Sequence, residues 1–168
     1  MAPPGLNTRP TADRVREALF SVIMPRLAGA KALDAFAGSG ALGLEALSRG
    51  AATVLFIEKN EAALKALRRN VENCRLPGAE IFFGDALRFL RQNTMSYDII
   101  FLDPPYHTDL MERALKAVPE SGALAAGGLI VAETAVKEEF CPPKGLTIRK
   151  HGVYGDTALY YLEAVDLK

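Results

Sequence analysis

Three segments of the chain carry side chains whose types and spacing suit chemistry at a single site. Gly38-Ser39-Gly40-Ala41-Leu42-Gly43 follows the G-x-G-x-x-G pattern, in which glycines let the backbone approach a ligand. Glu58 lies 20 residues beyond Gly38, where a carboxylate grips the hydroxyls of a ribose. Asp103-Pro104-Pro105-Tyr106 sets an acid, two stiff rings and an aromatic face side by side. A carboxylate and a proline carbonyl can each accept one hydrogen of an exocyclic base amine, a poor nucleophile whose lone pair is delocalised into its ring. Holding both hydrogens favours the tetrahedral nitrogen that attacks an electrophilic methyl group. Tyr106 offers a stacking face for a base removed from its helix. Taken singly, each motif has a plainer explanation: a ligand-free turn for the glycines, an ordinary Pro-Pro turn for the tetrapeptide.

The glycine pattern with Glu58 suits either a nicotinamide dinucleotide or S-adenosylmethionine. Asp34, four residues before Gly38, helps separate them. Its carboxylate would repel a diphosphate but attract the ammonium group at the methionine end of S-adenosylmethionine. A whole helix ahead of the first strand, which a dinucleotide half-domain does not require, and an antiparallel strand pair in the tail favour the same cofactor. Asp103 also says something about the base. Guanine presents two adjacent donors, N1–H and the N2 amine, which suit a two-oxygen acceptor, whereas adenine presents one donor and one acceptor.

These residues must be positioned by strands that end beside them. From Thr11, a candidate N-cap, Val15, Ala18, Leu19, Val22 and Ile23 fall at helical spacing. Residues 31–36 read as a strand running into Gly38, followed by a helix over Leu42–Ser48 that Gly50 stops. Val54–Ile57 is a second strand. The next helix sets Leu64, Leu67, Val71 and Cys74 against a charged face with Lys65, Arg68, Arg69 and Glu72. Ile81–Phe83 is a third strand and Ala86–Leu90 opens a helix. Tyr97–Leu102 shows almost no alternation, as a strand buried on both faces should. A helix over 109–118, a strand over 128–132 and two strands near 145–150 and 157–164 complete the chain. The expected fold is α/β: a seven-stranded, mostly parallel sheet with a C-terminal antiparallel hairpin and helices on both faces. Residues 1–10 read as an extended leader and 11–168 as a single domain.

Composition excludes several classes. With 168 residues, 49% hydrophobic and 24% charged, the chain can bury one proper core and is not a disordered polymer. No apolar run is long enough to span a membrane, and the N-terminus has no signal-peptide pattern. Two distant cysteines, Cys74 and Cys141, and two histidines suggest neither a disulfide framework nor a metal site, and point to a reducing cytosol. The 20 basic and 20 acidic side chains cancel, but unevenly: residues 1–84 carry 11 basic and 8 acidic, the remainder 9 and 12. That asymmetry suits one basic face, or chance scatter over a solvated surface.

Asp34-Ala35-Phe36-Ala37-Gly38-Ser39-Gly40 resembles the first motif of class I S-adenosylmethionine-dependent methyltransferases, which have a Rossmann-like fold. The resemblance implies cofactor contacts from Asp34, from Phe36, Ala37, Gly38, Ser39 and Gly40, and from Glu58 with its neighbour Lys59. Gly84-Asp85-Ala86 resembles the segment whose carboxylate and amide take the adenine, which assigns Asp85 and Ala86; Asp85 also suits a helix N-cap. Asp103–Tyr106 resembles the Asp/Asn-Pro-Pro-Tyr/Phe motif of enzymes that methylate base amines, implying catalytic roles for Asp103, Pro104, Pro105 and Tyr106.

A wider likeness covers nearly the whole chain. The block Arg9–Phe20, then Leu33–Gly43, Phe56-Ile57-Glu58, Asp103–Tyr106 and Tyr154-Gly155-Asp156-Thr157 resemble, in order, the bacterial 16S ribosomal RNA guanine-N2 methyltransferase family. The resemblance implies methylation of the N2 amine of one guanine in 16S rRNA, within the 30S subunit or an assembly intermediate. It further implies a cytoplasmic monomer with no metal and no membrane partner, and a lid over the cofactor formed by Thr11 to Arg14. A solvated first helical turn is the plainer reading of Thr11 and Arg14, and a tyrosine packed on the sheet edge that of Tyr154. Family members usually carry a basic segment ahead of the Arg-Pro-Thr block. Here eight uncharged residues precede Arg9; Lys65, Arg68, Arg69 and Arg75 could supply phosphate contacts, although a charged helix face is usually just solvated. Two alternatives follow from the shared motifs: methylation of an adenine or cytosine amine in DNA or RNA, and a nicotinamide-binding oxidoreductase or nucleotide-binding module.

Overall fold

The computed structural model describes residues 10–165, so most of the expected leader lies outside the described residues. Helix α1 spans Pro10–Ile23. Thr11 therefore falls inside the first turn and is not the N-cap expected of it. Proline suits that turn because its φ is preset and its missing N–H has no helical partner to lose.

Five strands then alternate with four helices: β1 (Lys31–Asp34), α2 (Ala41–Ser48), β2 (Thr53–Glu58), α3 (Glu61–Cys74), β3 (Ala79–Phe83), α4 (Ala86–Gln92), β4 (Tyr97–Leu102), α5 (Leu110–Ser121) and β5 (Leu124–Ala135). A hairpin of β6 (Leu146–Tyr154) and β7 (Thr157–Ala164) follows. The seven strands form one sheet in the order β3-β2-β1-β4-β5-β7-β6, parallel from β3 to β5, with β7 antiparallel to both its neighbours. The expected architecture is the observed one. Boundaries moved where tertiary pairing decided them. The first strand stops at Asp34, β5 starts four residues early because it pairs along β4, and β6 runs through Tyr154, leaving Gly155-Asp156 as the turn.

Period-two alternation divides the apolar side chains of the sheet between two cores. Ala32, Val54, Phe56, Ile99, Phe101, Leu129 and Val131 face α1, α2 and α3. Leu33, Ile57, Ile100, Leu102, Ile130 and Ala132 face α4 and α5. β4 lies in the middle, so five of its six residues are buried. The exception, Asp98, sits at the strand's amino end, where its carboxylate accepts the Lys31 N–H at 2.9 Å. On α3, Leu64 and Leu67 are buried and Val71 packs against the core, but Cys74 is exposed: the helix's last residue has passed the sheet edge.

Gly43 shows how closely α2 lies on the sheet. A Cβ there would meet the Phe56 ring at 2.3 Å and Val54 Cγ1 at 2.9 Å. Gly43→Ala should therefore destabilise the fold by about 1–3 kcal/mol through overpacking, read as a lower urea midpoint at unchanged slope. An unaltered midpoint would show that α2 can shift freely on β2.

Candidate active site

β1 and β4 are neighbours, yet the chain leaves β1 toward β2 on one side and leaves β4 toward β5 on the other. Such a switch point opens a crevice at the carboxyl ends of the strands. Here that crevice is a cleft of about 430 Å³ whose wall includes Phe36, Gly38, Glu58, Lys59, Asp85, Ala86 and the whole of Asp103–Tyr106. Ala35, Ile57, Gly84 and Leu110 complete it. Four separate loops thus bring together ten of the sixteen residues singled out from the sequence.

The remaining six are placed otherwise. Asp34 lies beneath the cleft, 1% exposed, with Oδ2 accepting the Gly43 N–H at 3.1 Å. Burial, partly offset by that hydrogen bond and reinforced by the charge of Glu58, pushes its carboxyl up to about 7. Gly40 caps α2 with φ 88° and leaves room for Leu67, which a Cβ would meet at 2.5 Å; it is a packing glycine. Ala37 holds the turn together, its N–H donating to the Ile57 carbonyl and its carbonyl accepting from Gly40 N–H. The Ser39 carbonyl accepts from the Asn70 side chain. Arg14 is exposed and outside the cleft wall, and Thr11 lies in the first turn of α1.

Glu58 and Gly38 are tied directly. Glu58 Oε2 accepts the Gly38 N–H at 2.7 Å, and Oε1 accepts from Lys59 and Asn60 N–H at 3.0 and 2.9 Å. Oε1 is thereby saturated, and Oε2 has a second lone pair for a hydroxyl donor. Gly38 has φ 57° and nothing within 4 Å of a would-be Cβ, so a side chain there would project into open space at the cleft wall. Asp85, part of the cleft wall, is the N-cap of α4, its Oδ1 taking the Arg88 N–H at 2.9 Å. Acids at four strand ends make a field suited to a cation and hostile to a diphosphate.

Asp103 is the most perturbed of these acids. Burial first, then the charges of Glu133 and Asp34, push its carboxyl up to about 8. Of the two proline carbonyls that follow, that of Pro105 already accepts the Thr108 hydroxyl at 3.0 Å.

A second cavity of about 590 Å³ opens on the α1 side of the sheet, between α1, the start of α2 and the ends of β5 and β7. Arg16, Leu42, Glu133 and Gly155-Asp156-Thr157 line it, and so do Asp103 and Tyr106, which therefore form a wall common to both spaces. Three residues of the Tyr154–Thr157 motif are thus at the site. Tyr154 itself ends β6 and packs on the core, as its plainer reading had it. Arg16 and Glu133 had not been singled out. Nothing in the local sequence marks Glu133, which looks like the end of an apolar strand; only the register of β5 on β4 gives it meaning.

Fold and site together define a methyltransferase of the class I, Rossmann-like type. A family model described as "Conserved hypothetical protein 95" matches residues 1–163, and the chain belongs to that family. It is similar to the ribosomal RNA small subunit methyltransferase D of Escherichia coli, 40% identical over 164 residues, 96% of this chain and 82% of the relative. The protein of the same name from Haemophilus influenzae is 39% identical over 159 residues, covering 90% and 82%. Among solved structures, the putative methyltransferase yhhF from E. coli matches with a TM-score of 0.84 at 37% identity, covering 93% of this chain and 87% of that one.

Proposed function

We propose that this protein transfers a methyl group from S-adenosylmethionine to the exocyclic N2 amine of a guanine in 16S rRNA. The observation that carries the reading is the shared wall: one set of residues, Asp103–Tyr106, borders both an acidic cleft and a second cavity of a size to admit a base. The relatives' activity on small-subunit ribosomal RNA gives the substrate class.

Bound S-adenosylmethionine supplies an electrophilic methyl group carrying positive charge. Glu58 would hold the ribose hydroxyls, Asp85 and the Ala86 amide the adenine, and Asp34 with the loop from Phe36 to Gly40 the methionine end. Lys59 borders the ribose side, and Thr11 with Arg14 would close over the methionine end as a lid. Asp103 accepts one hydrogen of the target amine. The Pro104 carbonyl accepts the other, since that of Pro105 is engaged by Thr108. Asp103 must be ionised to do this, and a cation in the cleft favours its ionised form. The amine loses one proton on methylation, and the Asp103 carboxylate would receive it. Tyr106 stacks on the base.

The proposed setting is the cytoplasm, where two exposed free cysteines stay reduced, and the proposed enzyme is a monomer acting on the 30S subunit or an assembly intermediate. Among the described residues no helix is long and apolar enough to cross a membrane. Lys65, Arg68, Arg69 and Arg75, all exposed on α3 and its C-cap, would contact phosphates.

Methyl transfer from labelled S-adenosylmethionine to unmethylated 30S particles, followed by nucleoside analysis, tests the reading. N2-methylguanosine is the expected product; N6-methyladenine or a methylcytosine would replace guanine with another base. Thermal stabilisation by NAD but not by S-adenosylmethionine or its demethylated product would overturn the cofactor as well.

A further inference from the structure

The second cavity contains a carboxylate that the mechanism above leaves idle. Strands β4 and β5 pair in parallel register through Leu102 and Ala132, so Asp103 and Glu133, one residue further on each, stand abreast on the same side of the sheet. Glu133 continues the face of Leu129 and Val131, which are packed in the α1-side core, and reaches the cavity just where that core ends. Tyr106 and Thr157 line the same cavity beside Glu133. Among the described residues lining this cavity Arg16 is the one basic side chain, and it is engaged by Asp13 at 3.1 Å and Glu45 at 3.3 Å. Glu133 is thus a half-buried acid beside another acid, and among the described residues of the cavity wall the one cation is engaged elsewhere. Burial raises its carboxyl above the usual carboxylate range, with only the Tyr106 hydroxyl opposing.

A group in that state asks for a hydrogen-bond donor from whatever fills the cavity. Guanine brings two neighbouring donors on one edge, N1–H and the N2 amine. Adenine and cytosine place a ring-nitrogen lone pair beside their amine, which a carboxylate repels. With Asp103 and the Pro104 carbonyl on the two amine hydrogens, N1–H is left facing the adjacent acceptor.

We propose that Glu133 is the specificity-determining residue of the second cavity, its carboxylate accepting the N1–H of the target guanine while Asp103 holds the N2 amine. The assignment rests on the guanine-amine reading above and adds to it the basis of base selection. No proton changes owner at Glu133. Tyr106 lines the same cavity and supplies the stacking face for the base that enters.

The test uses 2-aminopurine, which keeps the amine at position 2 but has a lone pair in place of N1–H. The guanine methylated by the wild type is first located, and 30S particles are then assembled on 16S rRNA ligated to carry 2-aminopurine there. Wild-type enzyme should show a kcat/KM at least about a hundredfold lower on this substrate than on guanine, as expected for a site built to pair a missing donor. Glu133→Gln, whose amide can donate to that lone pair, should lose activity on guanine and narrow the ratio to within about tenfold. Equal rates of the wild type on both substrates, or an unchanged ratio in Glu133→Gln, would overturn the assignment. The wild-type comparison decides alone if the variant does not fold, as judged by binding of the demethylated cofactor. Absence of transfer to unmodified guanine by the wild type is a different failure: it would retire the guanine-amine reading and this assignment with it.

Discussion

Asp103→Ala should lower kcat by about 10²–10⁴-fold while leaving affinity for the demethylated cofactor within a few-fold. Alanine removes the acceptor that turns a delocalised base amine into a nucleophile. Glu133 stands beside it, but on the neighbouring strand β5. Asp103→Asn separates acceptor from charge. The asparagine oxygen still accepts one amine hydrogen, so a larger share of the rate should survive than in the alanine variant. The pH profile should differ more sharply. In the wild type the ionised carboxylate is the working form, and its burial near Glu133 and Asp34 pushes its pKa up to about 8. For the free enzyme, kcat/KM should therefore climb with pH through that value and level off above it. In Asp103→Asn that rise should vanish. Methyl transfer to unmethylated 30S particles between pH 6 and 9.5 reads both effects. An alanine variant with near-normal turnover would remove this carboxylate from the chemistry.

The residues that the sequence could reveal are those whose meaning is local. A glycine loop, an acid at a fixed distance and a Pro-Pro turn each announce a strand end, and strand ends in a parallel sheet converge at the switch point. Ten of the sixteen residues chosen that way share one cleft. What stayed hidden depends on register and layer order. Glu133 reads as the tail of Leu129-Ile130-Val131-Ala132 until β5 is aligned with β4, whereupon it stands beside Asp103. Arg16 looks like one more charge on an amphipathic helix until α1 is laid against the open end of the core. Phe82 and Phe83 illustrate the converse: apolar and strand-forming, they are 42% and 52% exposed because β3 is the sheet's edge, a fact of topology and not of composition.

The net charge of zero is explained in the same way. Asp34, Glu58, Asp85, Asp103 and Glu133 gather at the carboxyl ends of the strands, while Lys65, Arg68, Arg69 and Arg75 are displayed along α3 and its cap. A cationic cofactor and a polyanionic RNA require opposite local fields, and one sheet separates them by sending acids to strand ends and bases to a solvent-facing helix. Cancellation in the total is then a poor guide to partners.

Asp34 is the one of these acids buried below the cleft surface, and Asp34→Asn should move stability and affinity in opposite directions. The folded carboxyl is raised to about 7 against 3.8 for a free aspartate. Between those values the folded chain retains a proton that the unfolded chain has released, so stability must fall as pH rises from about 4 to 7. Asparagine cannot ionise, and its side-chain oxygen can still accept the Gly43 N–H. The variant should therefore be more stable than the wild type by about 2–4 kcal/mol at pH 8, with the difference disappearing near pH 4. Urea unfolding at the two pH values measures this. The same change deletes the carboxylate proposed to attract the ammonium group at the methionine end of the cofactor, so affinity for S-adenosylmethionine should drop by at least about tenfold in calorimetry. It also removes one of the two negative neighbours of Asp103, and the rise in kcat/KM with pH should shift toward acid. Equal wild-type and variant stability at pH 8 would mean that the buried carboxyl is not strained, and that the cleft has no stored preference for a cation.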